Sequence, residues 1–268
     1  MALSALALVV SSEAAAKREH SERHLILGGQ VVPSGTKTYV TGVRSGPDSG
    51  NVCGGNLISP THVLTTSHCQ TYDVRWVSIG SHYRNGTRDG EQIKVVAIMS
   101  HPQYSEGIKY ANDVMVLQLE RPSTFQPVKM AAADDSGFQS GAWATIIGWG
   151  SDAEVNGTYP DELHRVDVQL VSDATCAAHV SIDASMVCAG GELNQDACFG
   201  DSGGPLVIER PGIDGTVEDV LIGLPSWSKN DTCGRAGYYG VYSRVSAARA
   251  WIDSIISRDF ASEGGHLC

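Results

Sequence analysis

From Ile26 onward the chain is made of short apolar runs cut by Gly, Pro, Asn and Ser, and this pattern limits the fold more than any other feature. The runs are VRWVSIG at Val74, IKVVAIM at Ile93, VMVLQL at Val114, WATIIGWG at Trp143, VDVQLV at Val166, PLVIE at Pro205 and VLIGL at Val220. Several carry β-branched residues with partial alternation, so they read as strands. No repeat, low-complexity tract or long linker interrupts them. A strand-dense chain of 268 residues points to barrels or sandwiches, as one large domain or two small ones. One helix is expected near the end. Ala248, Trp251, Ile252, Ile255 and Ile256 make an apolar stripe at three- and four-residue spacing, with Ser246 as a suitable N-cap.

Charge narrows the function classes. The formal net charge is -11, which argues against binding by phosphate neutralisation. The longest apolar run, Ala2–Val10, is too short to span a bilayer, which takes roughly 20 residues. It matches the core of a secretory signal, and Ala14-Ala15-Ala16 offers a cleavage site, although no Lys or Arg precedes the run. The seven cysteines, Cys53, Cys69, Cys176, Cys188, Cys198, Cys233 and Cys268, suit an oxidising compartment: six can pair and one is left over. No C-x-x-C occurs and the histidines are scattered, which argues against a zinc site. Sequons at Asn85, Asn156 and Asn230 become candidate glycan sites in an exported chain.

The sharpest chemical signal is GDSGGP at Gly200. A serine between glycines suits a tight turn with its hydroxyl exposed and backbone N–H groups beside it. G-x-S-x-G also fits the nucleophile elbow of α/β-hydrolases, where the histidine follows the serine. Here the only histidine after Ser202 is His266, in the tail. Two better partners precede it. His68 lies in LTTSHC, and Asp113 opens the apolar run of NDVMVLQL, where a carboxylate needs a partner. Chain order His, Asp, Ser therefore favours a different arrangement from the hydrolase elbow.

At these residues the chain resembles the trypsin/chymotrypsin-like serine protease family, from Ile26 to about Arg258. The matching stretches are ILGG at Ile26, CGGNLIS at Cys53, LTTSHC at Leu64, NDVMVLQL at Asn112, GWG at Gly148, DACFGDSGGPL at Asp196, PSW at Pro225 and YGVYSRV at Tyr239. The resemblance implies an all-β fold of two antiparallel six-stranded Greek-key barrels, at about 40–124 and 133–245, with a C-terminal helix at about 246–258. Around a peptidase domain at 26–260, the residues themselves read as a signal peptide at 1–16, a polar, charged pro-segment at 17–25 and a Gly-rich, polar, flexible tail at 261–268.

The resemblance also implies roles. Ser202 would be the nucleophile, His68 the base, and Asp113 the group that orients His68, supported by Ser226. The N–H groups of Gly200 and Ser202 would form the oxyanion hole. Asp196 at the pocket floor and an open wall at Gly240 imply cleavage after Arg or Lys, in protein or peptide substrates, while Trp227 and Ser228 would flank the substrate backbone. Cys53 would pair with Cys69, Cys176 with Cys188 and Cys198 with Cys233, leaving Cys268. No cofactor or metal is implied. Activation would free the amine of Ile26 to meet Asp201, yet Leu25 stands where a basic residue usually precedes the cut. Further departures are Ser228 in place of a usual Gly, Thr66 and Ser67 in place of alanines, Tyr239 where many members have Pro, and Phe199 at the pocket rim.

Within the family the chain is also similar to secreted glucanase inhibitor proteins of plant pathogens. This likeness rests on ILGG without a preceding basic residue, KTYVTGVR at Lys37, LISPTHVLTT at Leu57, SHYRNGTRDGE at Ser81 and VLIGLPSW at Val220. It implies an alternative partner, a plant endo-β-glucanase. The triads of that subgroup are broken, whereas the three residue types are all present here.

Overall fold

The computed structural model describes residues 27–212 and 217–263, with side chains of the last helix to 258. Strands run in the order β1 (Gln30–Val31), β2 (Val40–Arg44), β3 (Asn51–Ser59), β4 (His62–Thr65), β5 (Trp76–Ile79), β6 (Glu91–Ser100) and β7 (Met115–Leu119). They continue with β8 (Lys129–Met130), β9 (Trp143–Gly148), β10 (His164–Val171), β11 (Met186–Gly190), β12 (Leu206–Pro211), β13 (Val217–Ser228) and β14 (Tyr239–Arg244). Helix α1 spans Asp173–Ala177 and α2 spans Val245–Glu263.

Two closed six-stranded barrels result. The first closes in the order β2-β3-β4-β7-β6-β5. The second closes as β9-β10-β11-β14-β13-β12, with β1 added to β10 and β8 lying parallel to β13. Every pair within the barrels is antiparallel, and closure leaves no free edge inside them. Strand β6 alternates as expected of a half-solvated sheet: Ile93 is buried while Val96 and Ile98 face outward.

The barrels share one core. Leu57, Leu64, Leu117 and Ile79 of the first lie in the same apolar cluster as Ile147, Leu221 and Leu224 of the second. A polar clasp adds to it. Lys37 bonds Glu209 and Asp219, Tyr39 bonds Asp219, and Arg165 holds Glu209 from the other side. The contact that matters most for the site is between backbones. Gly54 N donates to Ser202 O at 2.8 Å, and a Cβ at Gly54 would lie 2.7 Å from Gly204 Cα. The segment carrying Ser202 thus seats directly on β3, which only glycine permits.

Helix α2 buries Ala248, Ile252 and Ile255 in the shared cluster. It packs on β13 and also reaches the first barrel, where Trp251 meets His101 edge-on at 4.9 Å. Two expectations change. Ser246 is not the N-cap: the helix begins at Val245, directly from the end of β14, and Ser246 Oγ is buried without a hydrogen-bond partner. The helix also passes 258 and continues to Glu263, because nothing breaks it before Gly264-Gly265. The signal, the pro-segment, Leu25, Ile26, His266 and Cys268 lie outside the described residues.

Candidate active site

The site lies in the seam between the barrels. His68 sits in a turn of 3-10 helix, Ser67–Tyr72, just after β4. The Cys53–Cys69 disulfide ties that turn back to β3. Thr66 and Ser67 help to hold it. Ser67 Oγ donates to Val114 O at 2.7 Å, and Thr66 Oγ1 donates to the Cys69 sulfur at 3.1 Å. The Ser67 hydroxyl therefore fastens the His68 turn to the segment carrying Asp113, and the Thr66 hydroxyl braces the turn internally.

Asp113 is fully buried and its carboxylate is well supplied with donors. Oδ1 accepts from His68 N at 2.9 Å. Oδ2 lies 2.7 Å from His68 Nδ1 and accepts from Ser226 Oγ at 2.5 Å. Ser243 Oγ anchors its backbone carbonyl at 2.7 Å. Such a set offsets the cost of burying a carboxylate and fixes the imidazole with Nδ1 toward Asp113. His68 and Ser202 line one cleft of about 210 Å³, and no hydrogen bond joins them among the described residues. Bonds of this kind are often long before substrate arrives.

Around Ser202 the backbone turns sharply. Asp201 N bonds Cys198 O, Gly203 N bonds Pro225 O and Gly204 N bonds Asp201 O. The N–H groups of Gly200 and Ser202 enter no backbone hydrogen bond among the described residues. Ser151 N fixes Phe199 O at 2.8 Å. In a trans peptide the N–H points opposite the carbonyl, so the Gly200 N–H is aimed away from Ser151. Asp201 itself is buried, with one oxygen on Gly150 N at 2.8 Å and the other on Cys198 N at 3.0 Å. Burial is the main cause that pushes its carboxyl up to about 6. Leu27 packs on the Cys198–Cys233 disulfide, which places the start of the described chain against the same loop.

The pocket floor is different. Asp196 is 2% exposed; Oδ2 accepts from Gly234 N at 3.1 Å, and Oδ1 is buried without a partner. Tyr242 OH is likewise unpartnered. A Cβ at Gly240 would lie 3.0 Å from Asp196 Oδ1 and 2.9 Å from Tyr242 OH, so both orphans converge beside the open wall. Burial first, and then the charge of Asp201, push the Asp196 carboxyl up to about 7 against the pull of its backbone donors.

The profile of the trypsin family matches residues 26–252. The chain belongs to the trypsin family. It is 50% identical over 243 residues to glucanase inhibitor protein 3 of Phytophthora infestans, covering 90% of this chain and 92% of that one. It is 48% identical over 231 residues to glucanase inhibitor protein 4 of the same organism, covering 85% and 89%. A glucanase inhibitor protein 3 of Phytophthora sojae is 42% identical over 259 residues, covering 95% and 97%.

In this trypsin-family member all three disulfides form as the resemblance implied: Cys53–Cys69, Cys176–Cys188 and Cys198–Cys233. Cys53, Cys69 and His68 lie close together, but both sulfurs are spent in a disulfide and offer no thiolate to a metal. Ser226, Trp227, Ser228, Phe199 and Gly240 all line the cleft. Tyr239 stands apart from it, edge-on to His179 at 5.2 Å. Asn85, Asn156 and Asn230 are all exposed, and Asn230 adjoins Asp231 and Thr232, which line the cleft mouth. Two further cleft residues are Tyr110, which lies in no motif, and Tyr242. Tyr110 stands between His68, edge-on at 5.9 Å, and Trp227, stacked at 6.4 Å. Tyr242 lies within YGVYSRV, and the approach of its hydroxyl to Asp196 beside Gly240 is set by the fold rather than by that spacing.

Proposed function

We propose that the protein is a secreted glucanase inhibitor built on the trypsin-family frame, with a plant endo-β-glucanase as its partner. The observation that carries this reading is the likeness to glucanase inhibitor proteins, at 50% identity over 90% of the chain in one case and 42% over 95% in another. An inhibitor that acts by binding needs a rigid surface, and the shared core of the two barrels supplies one. The test uses the purified chain against endo-β-glucanases. Wild type inhibits, and Ser202→Ala inhibits equally. Loss of inhibition in Ser202→Ala would transfer the effect to proteolysis, and no inhibition by wild type would end the reading.

A second reading, endopeptidase action after Arg or Lys, is favoured by the complete donor set on Asp113. In it, Ser202 Oγ attacks the scissile carbonyl as His68 Nε2 takes its proton. Asp113 keeps Nδ1–H in place and stabilises the imidazolium. The N–H groups of Gly200 and Ser202 hold the oxyanion, each worth about 2.7–4 kcal/mol of barrier. His68 then protonates the leaving amine, and water resolves the acyl-enzyme by the same steps reversed. The substrate cation meets Asp196 Oδ1 in the pocket. This reading also needs a free Ile26 amine to pair with Asp201, from a cut after Leu25. An organophosphorus probe tests it: label on Ser202, located by mass spectrometry, supports catalysis, and an unlabelled protein beside a reacting trypsin control rejects it. The two readings are compatible in one molecule.

A further inference from the structure

A strip of aromatic and arginine side chains leads out of the cleft across the barrel seam. It starts at Phe199 and Tyr159, each 47% exposed. Tyr159 touches the oxyanion-hole segment, since a Cβ at Gly200 would lie 3.0 Å from its Cε1. The Arg84 guanidinium lies over the Tyr159 ring at 4.6 Å. Beyond it Arg88 covers the Tyr83 ring at 3.6 Å. Backbone bonds hold the two sides together: Arg84 N donates to Asp161 O, and Tyr83 pairs with Glu162.

The nearby acids are already engaged. Asp161 holds Arg88, Glu162 holds His82, and Asp89 accepts from Ser81 and His82. Arg84 alone in the strip has no carboxylate partner among the described residues. Its guanidinium is held over a ring, so less freedom is lost when it binds, and its N–H donors fit a carboxylate bidentately. Arg, Tyr and Phe in one contiguous strip are the residue types that anchor protein interfaces.

Resting on the glucanase-inhibitor reading, we propose that Arg84 stacked on Tyr159, flanked by Phe199 and Arg88, is the docking surface for the glucanase. The partner chemistry follows from that of glycoside hydrolysis. A glucanase cleft is flanked by a pair of carboxylates with sugar-binding surface beside them. Arg84 supplies the matching cation and Tyr159 and Phe199 the flat apolar faces. On a chain of net charge -11, an acidic cleft gains contact where a local cation offsets the overall repulsion.

The test measures inhibition of purified plant endo-β-glucanases on a soluble β-glucan, and binding by calorimetry, with every variant keeping the Asn85 sequon. Arg84→Ala and Tyr159→Ala each weaken inhibition about tenfold or more, and Arg84→Glu about a hundredfold. Arg84→Lys falls between, because it keeps charge but loses the fork. Trp143→Ala, at a residue 59% exposed and outside the strip, changes nothing. Unchanged melting temperatures separate these losses from unfolding. Binding also falls about tenfold when the glucanase's catalytic acids are changed to amides. If wild type inhibits while Arg84→Glu and Tyr159→Ala stay within twofold of it, the strip is not the docking surface. If the amide variant of the glucanase binds as well as its parent, the carboxylate partner is wrong. A wild type that inhibits no glucanase overturns the parent reading itself, and the strip proposal with it.

Discussion

Three buried carboxylates meet the seam of this molecule, and two of them make an instructive pair. Asp113 is fully buried and both oxygens accept hydrogen bonds, from His68 N, His68 Nδ1 and Ser226 Oγ. Asp196 is nearly as buried, but Oδ1 has no partner and faces an unpartnered Tyr242 OH. One is a finished network, which rigidifies what it holds. The other is an unfinished one, in which the unpaired oxygen costs stability. The first barrel's loop edge thus positions a histidine, while the second barrel's loops leave Asp196 Oδ1 buried and without a hydrogen-bond partner.

The comparison breaks most visibly at Asp113. If the molecule hydrolyses peptides, Asp113→Asn loses about 10⁴-fold in kcat, because the amide favours the wrong imidazole tautomer. Single-turnover hydrolysis of an Arg ester measures it. A loss under tenfold would mean that the network is structural only. Asp196→Asn comes next. Turnover of Arg substrates falls about 10²–10³-fold, the scale for leaving a buried charge unpaired, and the preference for Arg over Phe disappears.

Asp196→Asn also carries a stability signature. The folded carboxyl is raised to about 7 at Asp196 and to about 6 at Asp201, above the ordinary 3.8. A raised carboxyl contributes stability that is complete below the ordinary value and lost as pH rises through the folded one. With the pocket empty, Asp196→Asn therefore raises the melting temperature at pH 8 relative to wild type and leaves it unchanged at pH 4. Asp113→Asn lowers it at pH 8. Equal shifts in both variants would erase the distinction between the two carboxylates.

Much of this arrangement was legible in the sequence, and the parts that were not share a cause. The seven apolar runs all became strands. Strands β2, β3, β4 and β14 were absent from that reading because Thr41, Gly54, Gly55, His62 and Gly240 dilute their apolar character, and β1, β8 and β11 were absent too. Those residues serve contacts between strands and barrels, as at Gly54 on Gly204. Ser202, His68 and Asp113 stood out through their local settings. Their meeting was carried by the family resemblance, since 45 residues separate His68 from Asp113 in the chain. Tyr110 and Tyr159 had no motif at all. An aromatic ring in a loop gains meaning only from what the fold brings beside it.

A smaller effect bears on the unpartnered oxygen of Asp196. Benzamidine, a flat cation, should bind Asp196 only when the carboxyl is ionised. Its affinity then weakens up to about tenfold per pH unit as pH falls below 7, and titration calorimetry at pH 5.5 to 8.5 reads the slope. A flat profile would place the cation elsewhere or show that Asp196 is already ionised throughout that range.

The smallest expected effect bears on which of the two functions the cleft serves. Ser228 lines the cleft in extended backbone opposite Gly240, and its Oγ donates to Thr232 O at 2.5 Å. The side chain is therefore drawn to the Lys229–Asp231 turn beside the cleft mouth. Removing it in Ser228→Gly loses that bond, about 1 kcal/mol, and adds backbone freedom worth roughly 0.5–1 kcal/mol, so the melting temperature falls by a few degrees. In exchange the mouth widens by one Cβ. With the hydroxyl already tethered, the gain in kcat/KM for Arg peptides should stay below about tenfold. A gain above a hundredfold would show that Ser228 closes the cleft in the native protein. The intact Asp113 network would then sit behind a shut door, and binding to a glucanase would be left as the function the surface performs.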